Sequence, residues 1–285
     1  MKRESFWSED PAEALRVEPG FSLIDAPADT TPGCEGDKDE GKAALAEGAG
    51  ALADLQEQLY ANGIAGDDRR RILLVLQAMD TAGKGGIVKH VMGSVDPQGV
   101  ELKAFKKPTE EELAHDFLWR IRKALPGPGK IGVFDRSHYE DVLIGRVRSL
   151  AAPEEIERRY GAINAFEAEL AGDGVTIIKV MLHISAEEQK QRLLERLERP
   201  EKHWKFNPGD IEEREFWPQY MQAYQIAIER TATPLAPWYV IPGDRKWYAR
   251  LVVQHLLVQA LENMKLEWPK ADYDVAEQKK RLLAT

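Results

Sequence analysis

Five short apolar runs punctuate the chain, each separated from the next by a stretch in which apolar residues recur every three or four positions. The runs are "RILLVLQ" (71–77), "VELKAF" (100–105), "KIGVFD" (130–135), "VTIIKVMLHI" (175–184) and "APWYVIP" (236–242). Continuous apolar runs, rather than alternation, predict strands buried on both faces. Helical spacing marks 84–93, 109–125, 138–171 (interrupted near Pro153), 185–199, 211–231 and 244–267. A further helix is predicted ahead of the first strand, over 42–61, despite Gly48 and Gly50. Strand and helix in alternation predict an α/β fold, a parallel five-stranded sheet with helices on both faces. Ligands of such sheets bind beyond the carboxyl ends of the strands. Chemistry is therefore expected just after residues 77, 105, 134, 184 and 241.

The 285 residues suffice for one domain with a sizeable core, expected over 41–285. Residues 1–40 differ in texture, being rich in Pro, Gly, Asp and Glu, and are expected to form a largely extended arm. They hold eleven acidic and four basic side chains, most of the net charge of −9. The rest is nearly neutral, which leaves room for a basic cleft. Cys34 is the one cysteine, so no intramolecular disulfide forms. "MKRESFWSED" has no apolar run behind its basic residues, unlike a secretory signal. No apolar stretch reaches the roughly 20 residues that span a bilayer. A cytoplasmic protein without membrane or nucleic-acid partner is the expectation.

After the first strand comes "QAMDTAGKGG". It nearly matches the phosphate-loop pattern G-x-x-x-x-G-K-[ST], with Gly83 and Lys84 in place but Ala78 for the first Gly and Gly85 for the hydroxyl. An ordinary strand-to-helix turn is the plain alternative. Against it stands the context, a buried strand before and a helix after. Ala82, Gly83, Gly85 and Gly86 would turn the backbone so that its amides face one anion, and Lys84 would add a point charge. Asp80 inside such a cradle would repel phosphate unless a cation lay between them. It is therefore expected to bind Mg²⁺ in place of the missing Ser or Thr, with Mn²⁺ as an alternative ion.

The third run ends in Asp135, where phosphate-loop enzymes place their second metal-binding carboxylate. Asp80 and Asp135 together would hold the metal, and Arg136 would stabilise the phosphoryl group in flight. Ser137 is expected to cap a helix. Glu140 is either the partner in that capping box or a metal- or acceptor-facing group. His138 is assigned equally to packing or catalysis, since a phosphate acceptor is already mostly ionised at neutral pH.

After the fourth run, "RLLERLERPEKHWKF" sets Arg192, Arg196 and Arg199 at helical spacing, then Lys202 and Lys205. A solvated face is the plain reading, but its position over the ligand side suggests a lid over polyanions, about 192–213. Asp210 and Glu213 form a candidate capping box within it. Lys103, Lys106 and Lys107 end the second run, with Arg120 and Arg122 on the following helix.

Taken together, "QAMDTAGKGG", "FKKPTEEELAHDFLWRI", "FDRSHYEDVLIGRV", "RPEKHWKFNPGD" and "APWYVIPGDRKWY" resemble the polyphosphate kinase 2 family, in order and over roughly residues 40–268. The resemblance implies a three-layer, thymidylate-kinase-like P-loop kinase fold with a helical lid. It implies Mg²⁺-dependent, reversible phosphoryl transfer between inorganic polyphosphate and nucleotides. It also implies Asp80, Lys84, Asp135, Arg136 and Glu140 as the catalytic set. "SHYED" resembles the subgroup that accepts both AMP and ADP, though Gly85 stands where that subgroup often has an acid. Arg196, Arg199 and Lys205 would hold polyphosphate, while Phe105, Lys106, Lys107 and Arg120 would meet the nucleotide, guanine nucleotides included. An ATP-dependent nucleoside-monophosphate kinase and a non-catalytic polyphosphate or nucleotide sensor are the competing readings. A homo-oligomer is expected. Trp247, Tyr248 and Trp268 are candidates for its interface or, equally, for the core.

Overall fold

The computed structural model of the protein describes residues 6–66 and 68–285. Lys2 and Arg3 of the acidic arm lie outside the described residues. Strands β1 (Arg71–Ala78), β2 (Val100–Ala104), β3 (Ile131–Asp135), β4 (Val175–His183) and β5 (Trp238–Pro242) form one parallel sheet in the order β2-β3-β1-β4-β5. All eight residues of β1 are buried, as a central strand covered on both faces requires. After β1 the chain crosses to β2 on one side, returns to β3, then moves to β4 and β5 on the other side. The carboxyl end of β1 is thus the switch point where a crevice opens.

Twelve helices accompany the sheet among the described residues: α1 (Pro11–Ala14), α2 (Lys38–Ala65), α3 (Lys84–His90), α4 (Glu110–Leu113), α5 (Trp119–Arg122), α6 (Ile144–Val147), α7 (Pro153–Gly172), α8 (Ala186–Glu198), α9 (Gly209–Arg214), α10 (Trp217–Thr231), α11 (Lys246–Asn263) and α12 (Val275–Leu283). α2, α3 and α11 pack together along the sheet, and α6, α7 and α10 form the second group. α2 begins four residues ahead of the expected start, because Asp37 and Glu40 form a capping box there. Gly48 has a packing reason. A Cβ at that position would collide with the side-chain amide of Gln254, which donates to the Leu45 carbonyl (2.9 Å) and locks α11 onto α2.

Several expected helices are shorter than their periodicity suggests. The 109–125 segment splits into α4 and α5, because Asp116 accepts the Leu118 amide (3.0 Å) and diverts the backbone. The 138–171 segment opens as a tight turn, His138–Asp141, before α6 and then α7 with Pro153 in its first turn.

The acidic arm has little regular structure, but from residue 6 onward it is docked on the body. Phe6, Leu15, Leu23 and Cys34 are buried in the core. Val17 donates to the Trp238 carbonyl (2.9 Å) and Val240 to the Leu15 carbonyl (3.1 Å), so the arm pairs with the outer edge of β5. This covers an otherwise open strand edge. Irregularly spaced apolar residues leave no periodic signal, which is why the docking is invisible in the pattern. Trp247 and Tyr248 are likewise buried, and Trp268 is exposed.

Candidate active site

Beyond Ala78 the chain leaves β1 through Thr81, in the left-handed region (φ 67°), and Gly83 (φ 126°) before α3 starts at Lys84. Gly83 offers no side chain to cap the first amides of α3. Lys84 folds back over the turn so that Nζ reaches the Ala78 carbonyl (3.3 Å). The turn is held from behind. Arg192, almost fully buried, donates Nη1 to the carbonyls of Thr81 (3.0 Å) and Ala82 (2.9 Å). Its Nη2 takes those of Gly243 (2.7 Å) and Asp244 (2.9 Å) after β5. Gln189 donates to the Asp80 carbonyl (3.1 Å). With these carbonyls occupied on the far side, the turn is stiffened beside the crevice.

Asp135 ends β3 in register with Leu76 of β1 and Ala104 of β2. The next residue, Arg136, sits at φ 63°, its amide bonded to the Leu76 carbonyl (3.0 Å). That bend brings its guanidinium to Asp80, Nη2 to Oδ1 at 2.9 Å, across a sequence gap of 56 residues. Burial disfavours the Arg136 charge, but the Glu140 and Asp80 carboxylates beside it raise its pKa above the usual value, so it stays cationic.

A cavity of about 720 Å³ opens over the turn. Ala82, Gly83, Lys84, Gly85 and Gly86 form its floor, and Asp80, Asp135 and Arg136 one wall. Lys89, His90, Arg196, Lys202, Lys205, Lys246 and Arg250 line the remainder, so cations far outnumber the two carboxylates. Burial, then the neighbouring cations Arg250 and Lys89, lowers the pKa of His90. Burial and the Arg192 charge do the same to Lys246 and Arg250. Crowded, desolvated positive charges of this kind are relieved by an anion.

A second cavity of about 270 Å³ shares Asp80 and Arg136 with the first and is lined by Glu140, Asp210, Tyr220 and Tyr224. The Asp80–Arg136 pair thus separates a basic chamber from an acidic, tyrosine-lined one. Glu140 accepts from Gln77, fully buried on β1 (3.1 Å). Its pKa is raised, by burial first, with Asp80 adding to the effect and Arg136 and Lys84 opposing it.

Most of the expected set converges here, with three exceptions, Arg199, Arg120 and Lys107. Arg199 points away, paired with Glu195 and Glu201 in an exposed cluster at the end of α8. Arg120 is buried behind the site, bonded to the Lys106 carbonyl (2.9 Å) and facing Asp141 (3.5 Å). Phe105, nearly fully buried and edge-on to Phe134 with Arg120 and Lys103 near its ring, does line the first cavity. Lys107 is exposed and outside both cavities, whereas Lys106 lines the first. The capping boxes also differ from expectation. Ser137 accepts from the Tyr139 amide alone (3.2 Å), which frees Glu140 for the second cavity. Asp210 faces Arg196 (3.5 Å), and Glu213 takes Arg148 and the Tyr220 hydroxyl (both 2.7 Å). His138 is packing: fully buried, with Nε2 3.3 Å from Glu167.

Sequence reasoning missed Lys89, His90, Lys246, Arg250, Gln77 and the inward role of Arg192. A signal existed for two of them. Lys246 and Arg250 follow β5 at the start of α11, whose first turn has no acidic residue. Cations are unfavourable at a helix N-terminus, so their presence there points to an anion nearby. Among the described residues no group of three or more His, Cys, Asp and Glu gathers to hold a metal. Any ion here would draw on one or two carboxylates and on ligands from substrate and water.

The chain is 46% identical over 259 residues to the AMP/ADP-polyphosphate phosphotransferase of Meiothermus ruber, covering 90% of this chain and 95% of that one. It is 42% identical over 231 residues to the ADP-polyphosphate phosphotransferase of Rhodopseudomonas palustris, covering 77% and 78%. The crystal structure of polyphosphate kinase 2 from Arthrobacter aurescens TC1 superposes with a TM-score of 0.96 at 56% identity, over 98% of both chains. The family description polyphosphate kinase 2 matches residues 35–269, and the chain belongs to that family.

Proposed function

We propose that the chain is a polyphosphate-dependent nucleotide kinase acting on nucleoside mono- and diphosphates. The observation that carries this reading is the basic chamber over a phosphate-loop turn. It is far richer in cations than one triphosphate tail needs and opens along α3, α8 and α11. Polyphosphate would lie there with its terminal group between Lys84 and Arg136. An oxygen of the acceptor's terminal phosphate attacks that terminal phosphorus. The bridging P–O bond breaks, the polymer leaves one unit shorter, and the acceptor gains the unit. The acceptor oxygen is already ionised near neutral pH, so no side chain has to remove a proton. Catalysis is then positioning and charge neutralisation.

Asp80 and Asp135 would hold Mg²⁺, or Mn²⁺, which when bound neutralises charge on the phosphates. The donor set supports this, because Mg²⁺ favours one or two carboxylates completed by phosphate oxygens and water. Arg136 holds Asp80 aimed at the chamber until then. Lys84 and the lid residues Arg196, Lys202 and Lys205 neutralise the polymer.

A coupled assay with purified protein, AMP or ADP, and either polyphosphate or ATP as sole donor tests the reading. Turnover with polyphosphate is expected. Turnover with ATP alone would overturn it. Asp80→Ala should abolish metal-dependent turnover while leaving the melting temperature within a few degrees. Guanine acceptors are tested in the same assay with GMP. The nucleotide acceptors are intracellular metabolites, which supports a cytoplasmic location. A homo-oligomer is part of the same reading, supported by exposed Trp268, Tyr273, Val275, Leu282 and Leu283 near the carboxyl end.

A further inference from the structure

Behind the site, out of reach of any substrate, Lys179 on β4 is fully buried and bound through all three of its protons. Nζ donates to Glu167 Oε2 on α7 (2.6 Å), to the Tyr139 phenolic oxygen (2.9 Å) and to the Thr231 carbonyl at the end of α10 (2.8 Å). Tyr139 donates its own proton to Glu167 Oε1 (2.8 Å). Trp238 on β5 donates to Thr231 Oγ1 (2.9 Å), which passes its proton to the Ala227 carbonyl (2.6 Å). The Tyr139 ring meets Trp238 edge-on, with centroids 4.7 Å apart.

Four elements thus converge on one residue of the turn His138–Asp141. That turn is short, and Tyr139 lies between the two groups facing the cavities, Arg136 and Glu140. A buried ion pair is a weak stabiliser, often no better than apolar residues of similar volume. The pair, with Tyr139, Thr231 and His138 (Nε2 3.3 Å from Glu167 Oε1), forms a small polar cluster inside an apolar core, where stability alone gives little reason for two charges. What the pair supplies is a fixed point with defined directions. We propose that Lys179 and Glu167 are positioning residues that act through Tyr139 to hold Arg136 and Glu140 in their catalytic geometry. The inference rests on the functional reading above for its consequence, although the anchoring itself does not.

The test uses the double variant Lys179→Met/Glu167→Met, which removes both charges and leaves no unpaired ion, and Tyr139→Phe, which keeps the ring. Hydrogen exchange of the 136–142 backbone is read alongside thermal melting and steady-state kinetics for AMP. Exchange over 136–142 should quicken in both variants. In the double variant kcat/KM for AMP should fall roughly 10- to 100-fold while the melting temperature holds or rises, a split that a merely structural role would not produce. Adding Tyr139→Phe to Glu140→Gln should cost little beyond the single change. Unchanged exchange would overturn the anchor. Quickened exchange with unchanged kcat/KM, or losses that simply multiply in the Tyr139–Glu140 pair, would overturn its catalytic consequence. A wild type inactive with polyphosphate defeats the functional reading instead, and exchange still judges the anchor.

Discussion

Arg192 offers the sharpest test of how the phosphate turn keeps its shape. Its guanidinium binds four main-chain carbonyls, two in the turn and two after β5, and its Nε pairs with Glu188 (2.7 Å). Arg192→Met keeps much of the buried stem and removes every one of these bonds. Breaking a buried charged pair costs about 3–5 kcal/mol. Glu188 is only partly buried, so its carboxylate regains water and the lower end, about 3 kcal/mol, applies. Some of that is returned, because the Arg192 charge also disfavours protonation of Lys246 and Arg250. For a chain somewhat larger than the 150–250-residue range, this corresponds to a fall in melting temperature of roughly 5–10 °C. The functional effect is separable. With their carbonyls released, the Thr81 and Ala82 peptides are free to rotate, and KM for polyphosphate should rise about tenfold, a loss of roughly 1.4 kcal/mol. Arg192→Lys should rescue neither property, since one ammonium cannot span four carbonyls in two loops. Calorimetry and initial rates over a polyphosphate titration measure both. A lower melting temperature with unchanged KM would refute the claim that carbonyl capture shapes the turn. No change in either would refute the staple itself.

Glu140 should show its burial in two ways. Its carboxyl pKa is raised above the ordinary 4.5, so the folded state binds its proton more tightly than the unfolded chain does. Ionised Glu140 therefore costs stability as pH rises through the ordinary value toward the raised one, and below the ordinary value the cost vanishes. Glu140→Gln should accordingly melt higher than wild type at pH 7, with the gap closing below about pH 4, and equal melting at pH 7 would count against the burial argument. Binding of polyphosphate should weaken steeply with salt, because many phosphates are neutralised together, and Arg250→Gln should flatten that dependence. An identical slope in isothermal titration would remove Arg250 from the polymer's path. Ending the chain after Lys270 deletes α12, whose residues are exposed apart from Gln278. Melting should stay within about 2 °C because little apolar area is lost, and light scattering should report a smaller assembly if α12 joins two copies.

The pattern of apolar runs located all five strands. For β1, β3, β4 and β5 the reason is that a buried strand must be apolar nearly throughout. β2 departs from the expected double burial, being an edge strand with Leu102, Lys103 and Ala104 exposed. The two acids and the lysine were legible for a related reason. Each lies within a few residues of a strand end at the switch point, where topology makes residues distant in sequence neighbours in space. Orientation within a helix was harder. Arg192 and Arg199 sit on the same amphipathic segment, yet one is a buried staple and the other is exposed, paired with two glutamates. Periodicity gives the angle between them, about 20° from two full turns over seven residues, but not which level of the helix meets the sheet. Arg192 lies near the middle of α8, over the phosphate turn, and Arg199 lies past its end. The axial position, set by where Ser185 caps α8, decides their fates.

Side chains supplied by the last helix were missed for a different reason. Lys246 and Arg250 come from α11, entered only after the fifth strand, and their one local signal is the weak one of cations at a helix start that has no acidic residue. Their meaning is electrostatic and collective. Each sits where burial and the Arg192 charge disfavour its own, a cost that Glu195 and Glu188 offset only in part at Lys246. A protein that leaves such charges crowded around one chamber, while pairing Arg199 and Arg122 on its surface with carboxylates, has kept them for a ligand that arrives already charged. The ion pairs on the outside and the excess of cations within, where among the described residues only Arg136, Arg196 and Lys202 meet carboxylates, are two parts of one arrangement. The first cancels surface cations locally, and the second directs the remaining attraction to the crevice where Lys84 and Arg136 wait.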